Sequence, residues 1–341
     1  MTLQALSDRI RDAADRRLAL RLRGGGSKDF YGNEARGELL DTRAYAGIAD
    51  YEPSELVITA RCGTPLAEVE KALAERGQCL PFEPPHFGAA TFGGCIAAGL
   101  SGPRRASCGA LRDFVLGVKL VDGRGRILQF GGQVMKNVAG YDVSRLVAGS
   151  LGTLGLIAEA SLKVLPRPQV ECTLRLEMDE GRALDSMNRW AGEPLPVSAT
   201  LWHAGVLDIR LSGSEPAVRG AAKRIGGAEV KSDWHAVREQ THPFFAGEAP
   251  LWRLSVPSVT PPLGFPQLIE WGGALRWTRG GNALRELAKR AAGYATLFRG
   301  ADKSVGAFAP LDPVLMRLHR ELKNAFDPAA ILNPGRLYAE L

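Results

Sequence analysis

The sequence predicts an α+β protein in two unequal parts, a two-subdomain ligand-binding domain followed by a smaller α+β cap. Two observations carry this. The first half holds three glycine-dense segments set among apolar, strand-like runs, and glycine lets backbone approach a flat ligand because it has no side chain to exclude it. After Pro166-Arg167-Pro168 the pattern changes to alternating strand and helix signals that fit a split β-α-β unit, a ferredoxin-like sandwich. With 341 residues, the chain is long enough for two parts with cores of their own.

The elements follow in order. Residues 3–16 read as a helix, with Leu3, Leu6 and Ile10 on one face. Residues 18–22 form a short strand entering the Gly-Gly-Gly-Ser turn at 24–27, and 39–41 and Ile48 are further strand candidates. Residues 55–61 (ELVITAR) are a β-branched strand. Thr64 as N-cap and Pro65 as first helical residue open a helix over 66–76, with Gly77 just past its end. A long Pro/Gly segment spans 81–102. Strands at 114–121 and 127–130 flank an Asp122-Gly123 hairpin signal. A short helix around 142–148, with Asp142 as its cap and Tyr141 packed, precedes a glycine-dense turn at 149–155 and a buried strand over 156–165. In the cap, strands fall at 171–177, 198–203, 207–211, 251–256 and 274–277, and helices at 181–190, 215–225 and 283–292. Domain limits are expected at 1–168 and 169–312. Residues 313–341, a helix and an ordered tail, return to the first domain.

Composition excludes several classes. The net charge of +6 comes without a dense basic run interleaved with aromatics, so nucleic acid is not an expected partner. A mildly basic surface suits an acidic partner subunit or an anionic membrane face. No apolar run reaches bilayer length, and the amphipathic, charged N-terminus is not a secretion signal, so a cytoplasmic location is expected. The five cysteines, at 62, 79, 95, 108 and 172, contain no CxxC pair and read as buried thiols; no metal site is expected.

Three segments carry candidate chemistry. Arg23 through Lys28 (RGGGSK) can present successive backbone N–H groups to a phosphate or pyrophosphate, with Ser27 and Lys28 adding a donor and a charge; the alternative is a simple tight turn. Residues 83–102, with Thr91, Gly93, Gly94 and Gly102, replace side chains by hydrogen atoms and methyls, as a segment wrapping a large planar ring needs; the alternative is close helix packing. His86 in that segment reads as structural, or as merely near the ligand, rather than as a metal ligand or base. The third segment is Gly109 with residues 113–117, which leads on to the turn at 149–155.

The order RGGGS, TFGGCIA, GALRDFVLG and KNVAGYDVSRLVAGSLGTLG resembles the vanillyl-alcohol-oxidase/p-cresol-methylhydroxylase (PCMH-type) FAD-binding family. LPFEPPHFG, GPRR, LPRP, WGGALRW and DPAAILNPGRLYAEL extend the resemblance along nearly the whole sequence, toward the FAD-binding subunits of glycolate dehydrogenases (glycolate oxidases). The resemblance implies non-covalent FAD, with its pyrophosphate on Gly24, Gly25, Gly26, Ser27 and Lys28. It places Thr91, Gly93, Gly94 and Gly102 along the ribityl side of the flavin, Gly109, Gly152, Gly155 and Ile157 on the adenine and diphosphate side, and Asn333 returning with the tail. A cysteinyl tether at Cys95 or Cys108 is the less favoured alternative. The implied partners are a sister FAD-containing subunit, an iron–sulfur subunit, a small 2-hydroxy acid (glycolate or D-lactate) and, indirectly, the quinone pool. Any membrane association is then peripheral and borrowed from the complex. Two features depart from the self-sufficient D-lactate dehydrogenases of the family: Leu151 stands where they carry Glu, and their His-rich metal element in the second domain is missing.

Oxidation of a 2-hydroxy acid needs a base and a carboxylate clamp. Arg104, Arg105 and Arg276 are clamp candidates, each with a structural alternative, and no residue stands out as the base. Three readings stay open: a subunit of a glycolate dehydrogenase, a self-sufficient 2-hydroxy-acid dehydrogenase, and an interaction subunit with a residual flavin site.

Overall fold

A computed structural model describes residues 1–132, 142–300 and 302–341. Tyr141 and the 136–141 part of the glycine-rich motif lie outside the described residues. Helix α1 (Leu3–Asp15) buries Leu6, Ile10 and Ala13 on the face their spacing predicts. Strands β1 (Leu20–Arg23) and β2 (Glu38–Asp41) pair in parallel and hold the Gly24–Lys28 turn between them. There follow β3 (Ile48–Glu52), β4 (Val57–Arg61), α2 (Leu66–Ala74), β5 (Gln78–Cys79), α3 (Phe92–Ala98), α4 (Arg105–Cys108), β6 (Val115–Val121), β7 (Ile127–Gly131), α5 (Val143–Leu146), β8 (Leu156–Lys163) and β9 (Leu165–Pro166). An antiparallel sheet runs β3-β4-β8-β6-β7. Its central strand β8 is buried along most of its length, as a continuous apolar run should be.

Two local expectations change. Pro65, not Thr64, occupies the N-cap of α2. The Thr64 hydroxyl is consumed elsewhere: it donates to Arg61 O at 2.8 Å and accepts from Gly47 N–H at 2.9 Å, bridging two turns. The Pro/Gly segment also contains α3, capped by Thr91. Its small residues gave no apolar period, yet they let it pack closely; a Cβ on Gly93 would sit 2.5 Å from Cys62 Cβ. Asp142 does cap α5, accepting from Arg145 N–H.

The cap comprises β10 (Val170–Glu177), α6 (Glu180–Ala191), β11 (Val197–His203), β12 (Val206–Gly213), α7 (Glu215–Ile225), β13 (Ala228–Val230), α8 (Trp234–Arg238), β14 (Leu251–Ser255), β15 (Leu268–Glu270), β16 (Leu275–Arg279), α9 (Ala283–Arg290) and β17 (Tyr294–Arg299). Its first four strands lie in the order β13-β10-β12-β11, all antiparallel, with α6 and α7 as crossovers, which is the split β-α-β arrangement. Strands β15, β16, β14 and β17 extend that sheet to eight. Helix α10 (Pro313–Phe326) and the tail then return to the first half. Leu20 N–H donates to Ile331 O at 2.7 Å, and Asn333 N–H donates to Leu20 O at 2.9 Å, so the tail continues the edge of β1.

Candidate functional site

The turn after β1 is held from both sides. Arg21 and Arg23 each place a guanidinium nitrogen 2.7 Å from Asp29, closing the loop across its base. The glycines pack against the segment before α3: a Cβ on Gly24 would sit 2.1 Å from Thr91 Oγ1, and one on Gly25 would sit 1.5 Å from Ala89 O. Gly26 has φ +74°, a region open to glycine at no steric cost. No backbone N–H of residues 24–28 donates to a backbone carbonyl among the described residues. Successive N–H groups left free in one concave turn form an anion nest.

This turn opens into a cleft lined by Gly24–Lys28, Thr91, Gly93, Gly94, Gly152, Gly155, Ile157 and Asn333. The fold therefore gathers all the residues expected to hold the dinucleotide except two. Gly102 lies further on, at the junction with the cap. Gly109 ends α4 with φ +106° and lines neither space. Asn333 organises the cleft wall: its Oδ1 accepts Leu22 N–H at 2.7 Å and its Nδ2 donates to Leu151 O at 2.6 Å. Behind it, the buried Lys323 Nζ donates to Thr153 O, Leu332 O and Asp327, all within 2.9 Å, tying α10 to the glycine turn at 149–155.

Burial holds the Lys28 ammonium below its ordinary range, against the opposing pull of Cys95 and Glu239; its Nζ donates to His86 O at 3.2 Å. His86 is anchored between the two halves. Its Nε2 meets Glu70 at 2.9 Å, and its backbone N–H, with that of Phe87, donates to the Glu239 carboxylate reaching across from the cap. Burial pushes the Cys95 thiol up to about 12 and the Cys108 thiol up to about 11. Neither thiol lines the glycine cleft.

The three arginines expected near substrate separate. Arg276 is fully buried, and all three of its nitrogens donate to carbonyls, of Gly273, Pro261 and Thr260; it holds the loop before β15. Arg104 is paired with Glu171 and Glu83. Arg105 lies 4.6 Å over the Trp271 ring.

A second, smaller cavity of about 30 Å³ lies where the halves meet, between Phe87 and Leu100–Pro103 on one side and Arg238, Gln240, Arg253, Glu270 and Trp277 on the other. The segment running on from α3 connects the two spaces: Ala98 lines the glycine cleft and Leu100 lines the junction. Glu270 is 4% exposed and accepts a hydrogen bond from Trp277 Nε1 at 2.7 Å. Burial raises its carboxyl to about 7; Trp277 and Arg253 oppose the rise and Glu83 adds to it. Sequence reading missed both Glu270 and Arg253. The available signal was a lone carboxylate within an apolar run, Leu268-Ile269-Glu270-Trp271.

A family model described as FAD binding domain matches residues 2–131, and one described as FAD linked oxidases, C-terminal domain, matches residues 300–337. The protein is 48% identical to the glycolate oxidase subunit GlcE of Escherichia coli (strain K12) over 345 aligned residues, covering 99% of this chain and 98% of that one. It is 35% identical to the glycolate oxidase subunit GlcD of Bacillus subtilis (strain 168) over 37% of this chain and 27% of that one. An alkyldihydroxyacetonephosphate synthase shares the fold with a TM-score of 0.69 at 15% identity, over 96% of this chain and 75% of that structure. The cleft's chemistry fits a dinucleotide: free N–H donors for a pyrophosphate, beside a cleft lined by Gly24, Gly25, Gly26, Gly93, Gly94, Gly152 and Gly155.

Proposed function

The chain belongs to the PCMH-type FAD-binding family of glycolate oxidase subunits, and from that premise we propose that it is the FAD-binding subunit of a multi-subunit glycolate dehydrogenase. It is an FAD-dependent oxidoreductase of 2-hydroxy acids. The observation that supports the subunit reading is likeness to one glycolate oxidase subunit along the whole length, joined to a glycine-lined cleft of matching chemistry.

In this reading Gly24–Lys28 take the FAD pyrophosphate on their N–H groups, and Gly93 and Gly94, beside Thr91, give the ribityl group a wall nearly free of side chains. Gly152, Gly155 and Ile157 cover the adenine side, and Asn333 fixes the wall opposite. Gly102 serves the junction rather than the dinucleotide, and Gly109 serves the turn after α4. The FAD is held non-covalently. When bound it supplies the hydride-accepting chemistry and relays electrons onward. The protein's part is to hold it, keep its surroundings dry and present a small 2-hydroxy acid, glycolate or D-lactate. An iron–sulfur centre needs clustered thiolates, whereas the five cysteines here are free and separate. Onward transfer toward quinone therefore falls to a partner iron–sulfur subunit, alongside a sister flavin subunit. Among the described residues no helix is long and apolar enough to cross a membrane, so membrane contact is assigned to the complex.

The test is to purify the complex with and without this subunit and follow glycolate-dependent reduction of a soluble quinone analogue. Turnover that needs this subunit is the expected result. Undiminished turnover in its absence would overturn the reading.

A further inference from the structure

We propose that the junction cavity seats a small 2-hydroxy acid, with Arg253 holding its carboxylate and Glu270 taking its hydroxyl proton. This deepens the reading above and rests on it, because bound FAD is the oxidant.

The first support is position. The cavity draws walls from both halves, and the backbone that leaves the glycine cleft at Ala98 enters it at Leu100–Pro103. A substrate there lies next to the space assigned to the cofactor.

The second is the state of the arginines. Arg104, Arg210 and Arg238 are each paired with carboxylates of Glu83, Glu171, Glu70 or Glu239, and Arg276 is consumed by carbonyls. Arg253 is different. Its guanidinium lies 5.1 Å over the Trp271 ring and faces Tyr31, with no carboxylate at salt-bridge distance among the described residues. It lines the cavity. A half-buried guanidinium with no carboxylate at salt-bridge distance can take a substrate carboxylate, because planar paired N–H groups match two carboxylate oxygens.

The third is Glu270. It lines the same cavity from β15, with the Trp277 indole fixing its carboxylate. The charged groups facing it are Arg253 from β14 and Glu83 from the first half, and Arg238 from α8 shares the cavity wall. Burial in this company places its proton affinity near neutral, where a general base is most effective.

The cavity is small. At about 30 Å³ it is smaller than glycolate, so the side chains lining it must shift to admit the acid, and acids with larger side chains are disfavoured further. In the step, the O–H bond breaks with its proton passing to Glu270. The C–H bond breaks with its electron pair passing to oxidised FAD. The C=O bond of the 2-oxo acid forms, so atoms and the two electrons balance.

The test uses the FAD-loaded protein and reads two quantities. Binding of oxalate, a carboxylate that cannot be oxidised by hydride loss, is followed by tryptophan fluorescence. Flavin bleaching is followed after anaerobic addition of glycolate. Arg253→Met is expected to weaken oxalate binding by about tenfold or more, with Arg253→Lys recovering part of it. Glu270→Gln is expected to bind oxalate normally and slow bleaching by about 100-fold or more. FAD content and circular dichroism equal to wild type show that each variant has folded. Wild-type oxalate affinity in Arg253→Met, or wild-type bleaching in Glu270→Gln, would overturn the proposal. Wild-type protein that holds FAD but takes up no oxalate would also overturn it and leave the FAD reading intact. Wild-type protein that cannot hold FAD would overturn that reading, and this one with it.

Discussion

At Glu270, burial lifts a carboxyl from its ordinary 4.5 to about 7. The native state therefore binds this proton more tightly than the unfolded state. The resulting stabilisation is complete below pH ~4.5 and is lost as pH rises through about 7; the span is worth roughly 3 kcal/mol. Urea denaturation of wild type and Glu270→Gln between those limits checks it, because the glutamine variant should lack that share of the slope. Identical slopes would remove Glu270 from the account. Gly25 makes the companion case. Its Cβ position falls 1.5 Å from Ala89 O, so Gly25→Ala must displace backbone on one side of the cleft. FAD affinity, measured by flavin release on dilution, is expected to fall by about tenfold or more; unchanged affinity would detach this turn from the cofactor. The glycines were legible in sequence because three dense segments recur in one half. Glu270 and Arg253 were not, because their meaning comes from neighbours on other strands and from the first half. The same limit applies to arginine in general: nothing local in the sequence separates Arg276, spent on three carbonyls, from Arg253, which has no carboxylate partner among the described residues.

Helix α10 and the tail show how an element far along the sequence completes an early site. Lys323 is 6% exposed and satisfies two carbonyls and Asp327 at once. Lys323→Met leaves the fully buried Asp327 carboxylate without its cation and is expected to cost about 3–5 kcal/mol in chemical denaturation. A loss below about 1 kcal/mol would show that the tail docks without this pair. Elements with a strong period or a turn signal, such as α1, the β6–β7 hairpin and the α6 and α7 crossovers, were readable from local pattern. Helix α3 was hidden because glycine and alanine carry no apolar stripe. Strand β17 was hidden for another reason: its place beside β14 is decided by pairing across the sheet.

Over the whole molecule, a glycine-lined cleft in one half and a junction cavity against the cap divide the work of holding a cofactor and presenting a substrate. The split β-α-β unit in the cap was foreseeable from alternating signals. Its growth to eight strands, which brings Glu270 and Arg253 to the junction, was not, since those added strands pair through tertiary contacts. Every functional assignment depends on the cleft being a flavin site. The most direct test is the visible absorbance spectrum of the purified protein, before and after anaerobic glycolate. The account predicts flavin bands near ~450 nm at about one FAD per polypeptide, fading when glycolate is added. A colourless protein that also takes up no added FAD would contradict it.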